Sequence, residues 1–292
     1  MSMKVAFIGT GLMGRPMAER LLAADYQVSV FNRSMEKAES LRSAGAEIAP
    51  SAAEAIQSAN CLILMLADAA AIRQVIFDSR PRTELKDLTV IQMGTISPAE
   101  SIAFQDEVRE QGGDYLEAPV LGSIPEASAG NLLVMVGGSK VQFDRWSDLL
   151  QIFGPHPLMI GEVGKASALK LAMNQLIASL TAGFALSLGF VLRHDIEVDL
   201  FMKILRQSAL YAPTFDKKLE RMLTRDYTRP NFPGKHLCKD VALFRTAAQT
   251  VNLETIGIEA IHRLLEITLE KGYSEGDYSA LFEAVSPLDT KH

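Results

Sequence analysis

Cysteine is nearly absent. Two thiols, Cys61 and Cys238, in 292 residues are too few for a disulfide framework or a cysteine-rich metal site, and no metal is expected. Cys61 sits in the apolar run Cys61-Leu62-Ile63-Leu64-Met65-Leu66, where a buried thiol is the expected occupant; a reducing, cytoplasmic compartment fits. Positive charge is not in excess. Lys and Arg number 29 against 35 Asp and Glu, a net charge of −6, which argues against a general nucleic-acid binder. Any basic group at a functional site is therefore local. Low-complexity tracts and fixed short repeats are missing, and 48% hydrophobic with 22% charged residues is a globular composition. No secretory leader is expected, because the early charge Lys4 precedes a short run broken by Gly9, Gly11 and Gly14 rather than a long apolar segment.

Charge is also missing from Leu171 to Leu192, a stretch of 22 residues (192 − 171 + 1) and nearly the ~20 of a membrane span. It carries Asn174, Gln175, Ser179, Thr181 and Ser187 and is closed by Lys170 and Arg193. The expected reading is the buried central helix of a large protein, apolar on nearly all sides, with no membrane partner.

The chain reads in two halves. In the first, short β-rich runs alternate with helical stretches: Val5–Ile8 is a strand, Met13–Ala24 a helix, Val28–Phe31 a strand, followed by a helix through Ala44. Leu62–Leu66, Leu88–Gln92 and Leu132–Val136 are further strand candidates. This alternation implies a parallel sheet with right-handed crossovers. From Ala166 to Ala284 helical periodicity dominates. The boundary is expected at 162, giving a nucleotide-binding domain over 1–162 and an all-α domain over 163–292.

Four motifs carry chemistry. Gly9-Thr10-Gly11-Leu12-Met13-Gly14 follows a strand and opens a helix, the setting in which free backbone amides receive a pyrophosphate. The second strand ends Phe31-Asn32-Arg33-Ser34. The acid that would hold a ribose 2′-hydroxyl is absent there, and Arg33 offers a planar fork to a 2′-phosphate, with Asn32 and Ser34 as hydrogen-bond donors. NADP(H) is therefore expected over NAD(H). The loop Glu117-Ala118-Pro119-Val120-Leu121-Gly122-Ser123 suits an anion held on backbone amides, and an ordinary turn serves equally well. Lys170 and Asn174, four apart, project from one helix face; on an apolar helix they are costly to bury unless used, while a solvated edge at Lys170 is the alternative.

In this order and spacing the motifs resemble the β-hydroxyacid dehydrogenase family, which includes 3-hydroxyisobutyrate dehydrogenase, tartronate semialdehyde reductase and the glyoxylate/succinic semialdehyde reductases. The chain is more distantly similar to 6-phosphogluconate dehydrogenase. A late segment, Phe232-Pro233-Gly234-Lys235-His236-Leu237-Cys238-Lys239-Asp240, also matches. The resemblance implies an α/β Rossmann domain joined by a long helix to an all-α C-terminal domain that serves substrate binding and dimerisation, in a homodimer or homotetramer. It implies Lys170 as acid/base, with its pKa lowered by burial, and Asn174 as its catalytic companion. Leu121, Gly122, Ser123, Phe232 and Asp240 are implied for a small-molecule substrate. Gly9, Gly11, Leu12, Met13, Gly14, Asn32, Arg33, Ser34, Leu66, Thr95 and Lys239 are implied for the cofactor. His236 is read as a helix-surface residue.

Two departures stand out: relatives often carry Ser or Thr at Leu121 and Ser at Gly94. The expected activity is NADPH-dependent reduction of small aldehyde acids such as glyoxylate or succinic semialdehyde. Alternatives are imine reduction on the same scaffold, against which Lys170 argues, and a cofactor-binding scaffold whose chemistry is lost.

Overall fold

The structure is a computed structural model describing residues 3–57, 59–78 and 84–288. Its contacts divide the chain into two compact units, Met1–Lys170 and Leu171–His292. The change of patterning at 162 lies just before a long helix, Lys165–Arg193, which begins in the first unit and continues into the second.

Among the described residues the first unit is built on nine strands: β1 (Lys4–Ile8), β2 (Gln27–Phe31), β3 (Glu47–Ile48), β4 (Cys61–Leu64), β5 (Thr89–Gln92), β6 (Asp114–Glu117), β7 (Val120–Leu121), β8 (Leu133–Gly137) and β9 (Leu158–Gly161). Their order is β3-β2-β1-β4-β5-β6-β8-β7, with β9 beside β8. From β3 to β6 every pairing is parallel. Side chains alternate across the pleat: Val5 and Phe7 join a core with Met17 and Leu21 of the helix Gly14–Ala23, while Ala6 and Ile8 join another with Ile72, Ile76 and Phe104. Covering both faces is what allows β4 and β5 to be buried along their whole length.

The expected all-parallel sheet holds only in part. β8 runs antiparallel to β6 and β7. The segment between β7 and β8 holds only the helix Ile124–Ala129, and a parallel crossover needs about a dozen residues or more. The helix expected through Ala44 is also shorter. It stops at Glu39, and a separate turn of 3-10 helix, Arg42–Ala44, ends at Gly45 with φ +99°.

The second unit is helical. After the long helix come Val198–Gln207, Pro213–Thr224, Gly234–Thr250, Ile256–Glu270 and a C-terminal turn, Tyr278–Val285. Ala178, Ala182, Ala185 and Leu188 of the long helix pack with Met202, Phe215, Leu237, Val241, Leu265 and Phe282. The opposite side carries exposed Leu176, Leu180, Leu186 and Phe190. The helix is long and apolar enough to cross a membrane by length and composition, but it is buried on one side rather than all round. A buried ion pair ties the unit together: Lys218 Nζ donates to Asp277 Oδ1 at 2.8 Å and Oδ2 at 2.9 Å, and lies 4.2 Å from the centre of the Tyr278 ring.

Candidate active site

The glycine-rich turn has the geometry its motif requires. Gly9 has φ +101°, and a Cβ there would stand 2.3 Å from Met65 O. A Cβ on Gly14 would stand 1.8 Å from Gly9 O, whereas one on Gly11 would meet nothing within 4 Å. The turn is thus closed against the protein at Gly9 and Gly14 and open at Gly11. Met13, which caps the following helix, offers no side-chain hydrogen bond, and no acidic residue occupies the first turn. The buried Thr10 hydroxyl has no hydrogen-bond partner, and Leu12 is exposed. An open backbone cradle at an uncapped helix N-terminus fits the pyrophosphate of a dinucleotide.

Neighbouring strand ends complete this edge. A Cβ on Gly94 would approach Leu66 O to 2.5 Å, and one on Gly9 would approach Leu66 Cδ2 to 3.1 Å. Leu66 therefore packs between the ends of β1 and β5, and Gly94 leaves no room for a side chain beside it. Thr95 follows on the same turn, half-buried.

Asn32 Oδ1 accepts from Thr10 N at 3.1 Å, and its Nδ2 donates to Ser34 O at 2.9 Å. The side chain braces the glycine turn against the end of β2. Arg33 and Ser34 are exposed beside it.

The loop after β6 also differs from expectation. Leu121 lies in β7 and pairs with Leu133. Gly122 has φ +143°, and a Cβ there would meet Leu132 Cδ2 at 2.6 Å. Ser123 caps the helix Ile124–Ala129, and Glu126 Oε2 accepts from both Ser123 N at 2.8 Å and Ser123 Oγ at 2.7 Å. Of the donors expected from Gly122 and Ser123, the two on Ser123 are engaged by this internal carboxylate. The signal was in the sequence: Ser123-Ile124-Pro125-Glu126 has the spacing of a capping box with Pro at its start.

On the long helix Lys170 is 8% and Asn174 1% exposed, so the solvated-edge reading of Lys170 does not hold. Asn174 Nδ2 donates to Asp240 Oδ2 at 2.6 Å. Lys239 Nζ lies 2.8 Å from Asp240 Oδ1, an ion pair at an angle that leaves this oxygen without a directed hydrogen bond. Asn174 Oδ1 is likewise buried without a hydrogen-bond partner. Phe232, half-buried, stacks on His236 at 6.5 Å and meets Tyr278 edge-on at 5.9 Å. His236 is therefore half-buried rather than on the helix surface. Burial, with Lys235 and Lys239 nearby, lowers the pKa of its imidazole from the ordinary value.

Sequence reasoning missed Glu117 as an anchor. Its carboxylate, fully buried at the end of β6, accepts from Gly164 N, Ala166 N and Ser167 Oγ at the start of the long helix. Among the described residues no cluster of three or more His, Cys, Asp or Glu side chains could hold a metal.

Parallel sheet, open glycine cradle and following helical unit together define a nicotinamide-dinucleotide-binding protein. A family model described as the NAD binding domain of 6-phosphogluconate dehydrogenase matches residues 4–161. Another, described as NAD-binding of NADP-dependent 3-hydroxyisobutyrate dehydrogenase, matches 164–285. Glyoxylate/succinic semialdehyde reductase 2, chloroplastic, of Arabidopsis thaliana is 29% identical, over 99% of this chain and 81% of its own length. The 2-hydroxy-3-oxopropionate reductase of Escherichia coli is 30% identical over 97% of each chain. The solved structure of Psf3 in complex with NADP+ and 2-OPP superposes with a TM-score of 0.86 at 26% identity, covering 97% of this chain and 100% of that one. The chain belongs to the β-hydroxyacid dehydrogenase family.

Proposed function

We propose that the protein is an NADPH-dependent reductase of small aldehyde acids of the glyoxylate or succinic semialdehyde type, working reversibly on the aldehyde and its hydroxy acid. The observation that carries this reading is Lys170: an ammonium-bearing side chain 8% exposed on an apolar helix, one turn before the buried Asn174. Its burial and its place on the same helix face as Asn174 support the acid/base role that the family resemblance implies for it.

When bound, NADPH would provide the hydride for reduction at the aldehyde carbon, and NADP+ would accept it in the reverse direction. Lys170 gives its proton to the carbonyl oxygen as that oxygen becomes an alkoxide, and its charge stabilises the same atom. Deprotonated Lys170 is the base for hydroxy-acid oxidation. Asn174, held on Asp240, directs its unbonded Oδ1 as an acceptor toward a substrate hydroxyl. Phe232 lines the substrate pocket. Gly122 receives the substrate carboxylate on its backbone, next to the Ser123 donors that Glu126 occupies.

Gly9, Gly11, Leu12, Met13 and Gly14 hold the pyrophosphate, Leu66 and Thr95 adjoin the nicotinamide, and Lys239 contacts the cofactor. Arg33 binds the 2′-phosphate, since no carboxylate at 32–34 repels it. The NADP+ bound by Psf3 supports the same choice. The exposed row Leu176, Leu180, Leu186 and Phe190 supports a homodimer or homotetramer, because an apolar strip of this kind marks an association surface.

The test is a panel of short aldehyde acids assayed with NADPH and NADH, with wild type beside Lys170→Ala. Turnover should appear with NADPH. Lys170→Ala should lose it by at least ~10²-fold while still binding NADPH. Undiminished turnover in Lys170→Ala would refute the assignment.

A further inference from the structure

The first turn of the long helix is capped from a strand 47 residues earlier in the chain. Glu117 Oε1 accepts from Gly164 N at 2.8 Å, Ala166 N at 2.9 Å and Ser167 N at 3.2 Å. Its Oε2 accepts from Ser167 Oγ and from Ser101 Oγ, each at 2.5 Å. The Tyr115 hydroxyl in turn lies 2.9 Å from Ser101 Oγ. Both carboxylate oxygens are thus saturated by donors, which is the condition for burying such a charge at 0% exposure.

Room for it has been cleared. Gly137 pairs with Glu117 across β6 and β8, and a Cβ there would fall 2.3 Å from Glu117 Oε1. Gly164 takes φ +96°, which turns its amide toward the same oxygen. A carboxylate at a helix N-terminus also complements the helix dipole. Ser167 is three residues before Lys170, so the two share a helix face. The group that grips Ser167 through backbone and hydroxyl is therefore one turn from the amine.

We propose that Glu117 is the positioning residue for Lys170: it clamps the first turn of the long helix to the end of β6 and thereby fixes where the amine stands. The proposal rests on Lys170 being the proton donor. The role is geometric, since Glu117 touches the helix and not the reacting atoms. A misplacement of about 1 Å can cost ~10²-fold in rate, so the clamp should appear in kcat rather than in cofactor binding.

The experiment compares Glu117→Ala, Glu117→Gln and Ser167→Ala, using glyoxylate with NADPH as probes and hydrogen exchange of the 164–170 amides in the cofactor-free protein. Glu117→Ala should lower kcat by ~10²-fold, leave the KM for NADPH within about twofold, and speed exchange of the first turn. Glu117→Gln should restore most of both, because its carbonyl oxygen can accept the three amides while its NH2 donates to the two hydroxyls. If Glu117→Ala does not fold, Ser167→Ala keeps the strand side intact and should lower kcat severalfold at unchanged KM. Faster exchange at 164–170 with kcat at the wild-type level would overturn the proposal, as would wild-type exchange in every variant. The exchange measurement needs no turnover. Lys170→Ala, run alongside, shows separately whether the amine itself is required.

Discussion

Glu126 takes both hydrogen-bond donors of Ser123, its backbone amide at 2.8 Å and its hydroxyl at 2.7 Å. The loop that would hold a substrate carboxylate thus already carries one of its own. On the proposed function, an anionic substrate at Gly122 would meet this carboxylate and compete with it for Ser123. Glu126→Gln should therefore favour anionic over neutral substrates. The kcat/KM for succinic semialdehyde relative to an uncharged aldehyde such as butanal should rise by ~10-fold, equivalent to about 1.4 kcal/mol. An unchanged ratio would remove Glu126 from any role in selectivity.

Arg33 stands exposed beside the braced Asn32. A charge-assisted hydrogen bond contributes about 1.5–3 kcal/mol, so Arg33→Ala should raise the KM for NADPH by ~10–100-fold. The KM for NADH should barely move. Equal increases for both cofactors would eliminate the 2′-phosphate as its ligand.

Lys218 and Asp277 form a pair with side chains 7% and 0% exposed. Burial works to raise the Asp277 pKa, but Lys218 and the Ser279 hydroxyl and amide overcome it and hold the group below its ordinary 3.8. A depressed acid stabilises the fold above its unfolded value, so this contribution is present above 3.8 and fades as pH falls through the folded value. Lys218→Met leaves the carboxylate buried alone and should cost about 3–5 kcal/mol in urea unfolding at pH 7. The gap from wild type should narrow toward pH 4, where the stranded carboxylate takes up a proton. A gap constant with pH would assign the loss to packing instead.

Burial pushes the thiol pKa of Cys61 up to about 12 and that of Cys238 up to about 11. Thiolate is the reactive form, so at pH 8 the native protein should react with a disulfide reagent only slowly at both positions. Unfolded protein should titrate both thiols at once. Rapid labelling of native Cys61 would contradict its place in the sheet.

The legible parts of the molecule were local ones. Gly9, Gly11 and Gly14 announce a turn because each has a backbone reason within its own motif, and Lys170 with Asn174 declares a helix face by spacing alone. The antiparallel β8 was hidden because a strand's direction depends on connection length and pairing, not on the apolar run Leu132–Val136. Glu117 was read only as the start of a loop, since its partners at 164, 166 and 167 are distant in sequence and no pattern links them. Asp277 and Lys218 were invisible for the same reason. The helix-capping role of Ser123 was legible, since the Glu three places on completes a capping box.

Asn32 joins Thr10 to Ser34, so the glycine-rich turn and the segment after β2 shift as one piece. Exchanging the side chains at 33 and 34 can alter which nucleotide is admitted while the pyrophosphate seat keeps its shape. Replacing residue 32 would loosen both at once. On the proposed cofactor role, drift between the two nicotinamide coenzymes would run through the two solvent-facing positions 33 and 34, with Asn32 as the fixed point beside them.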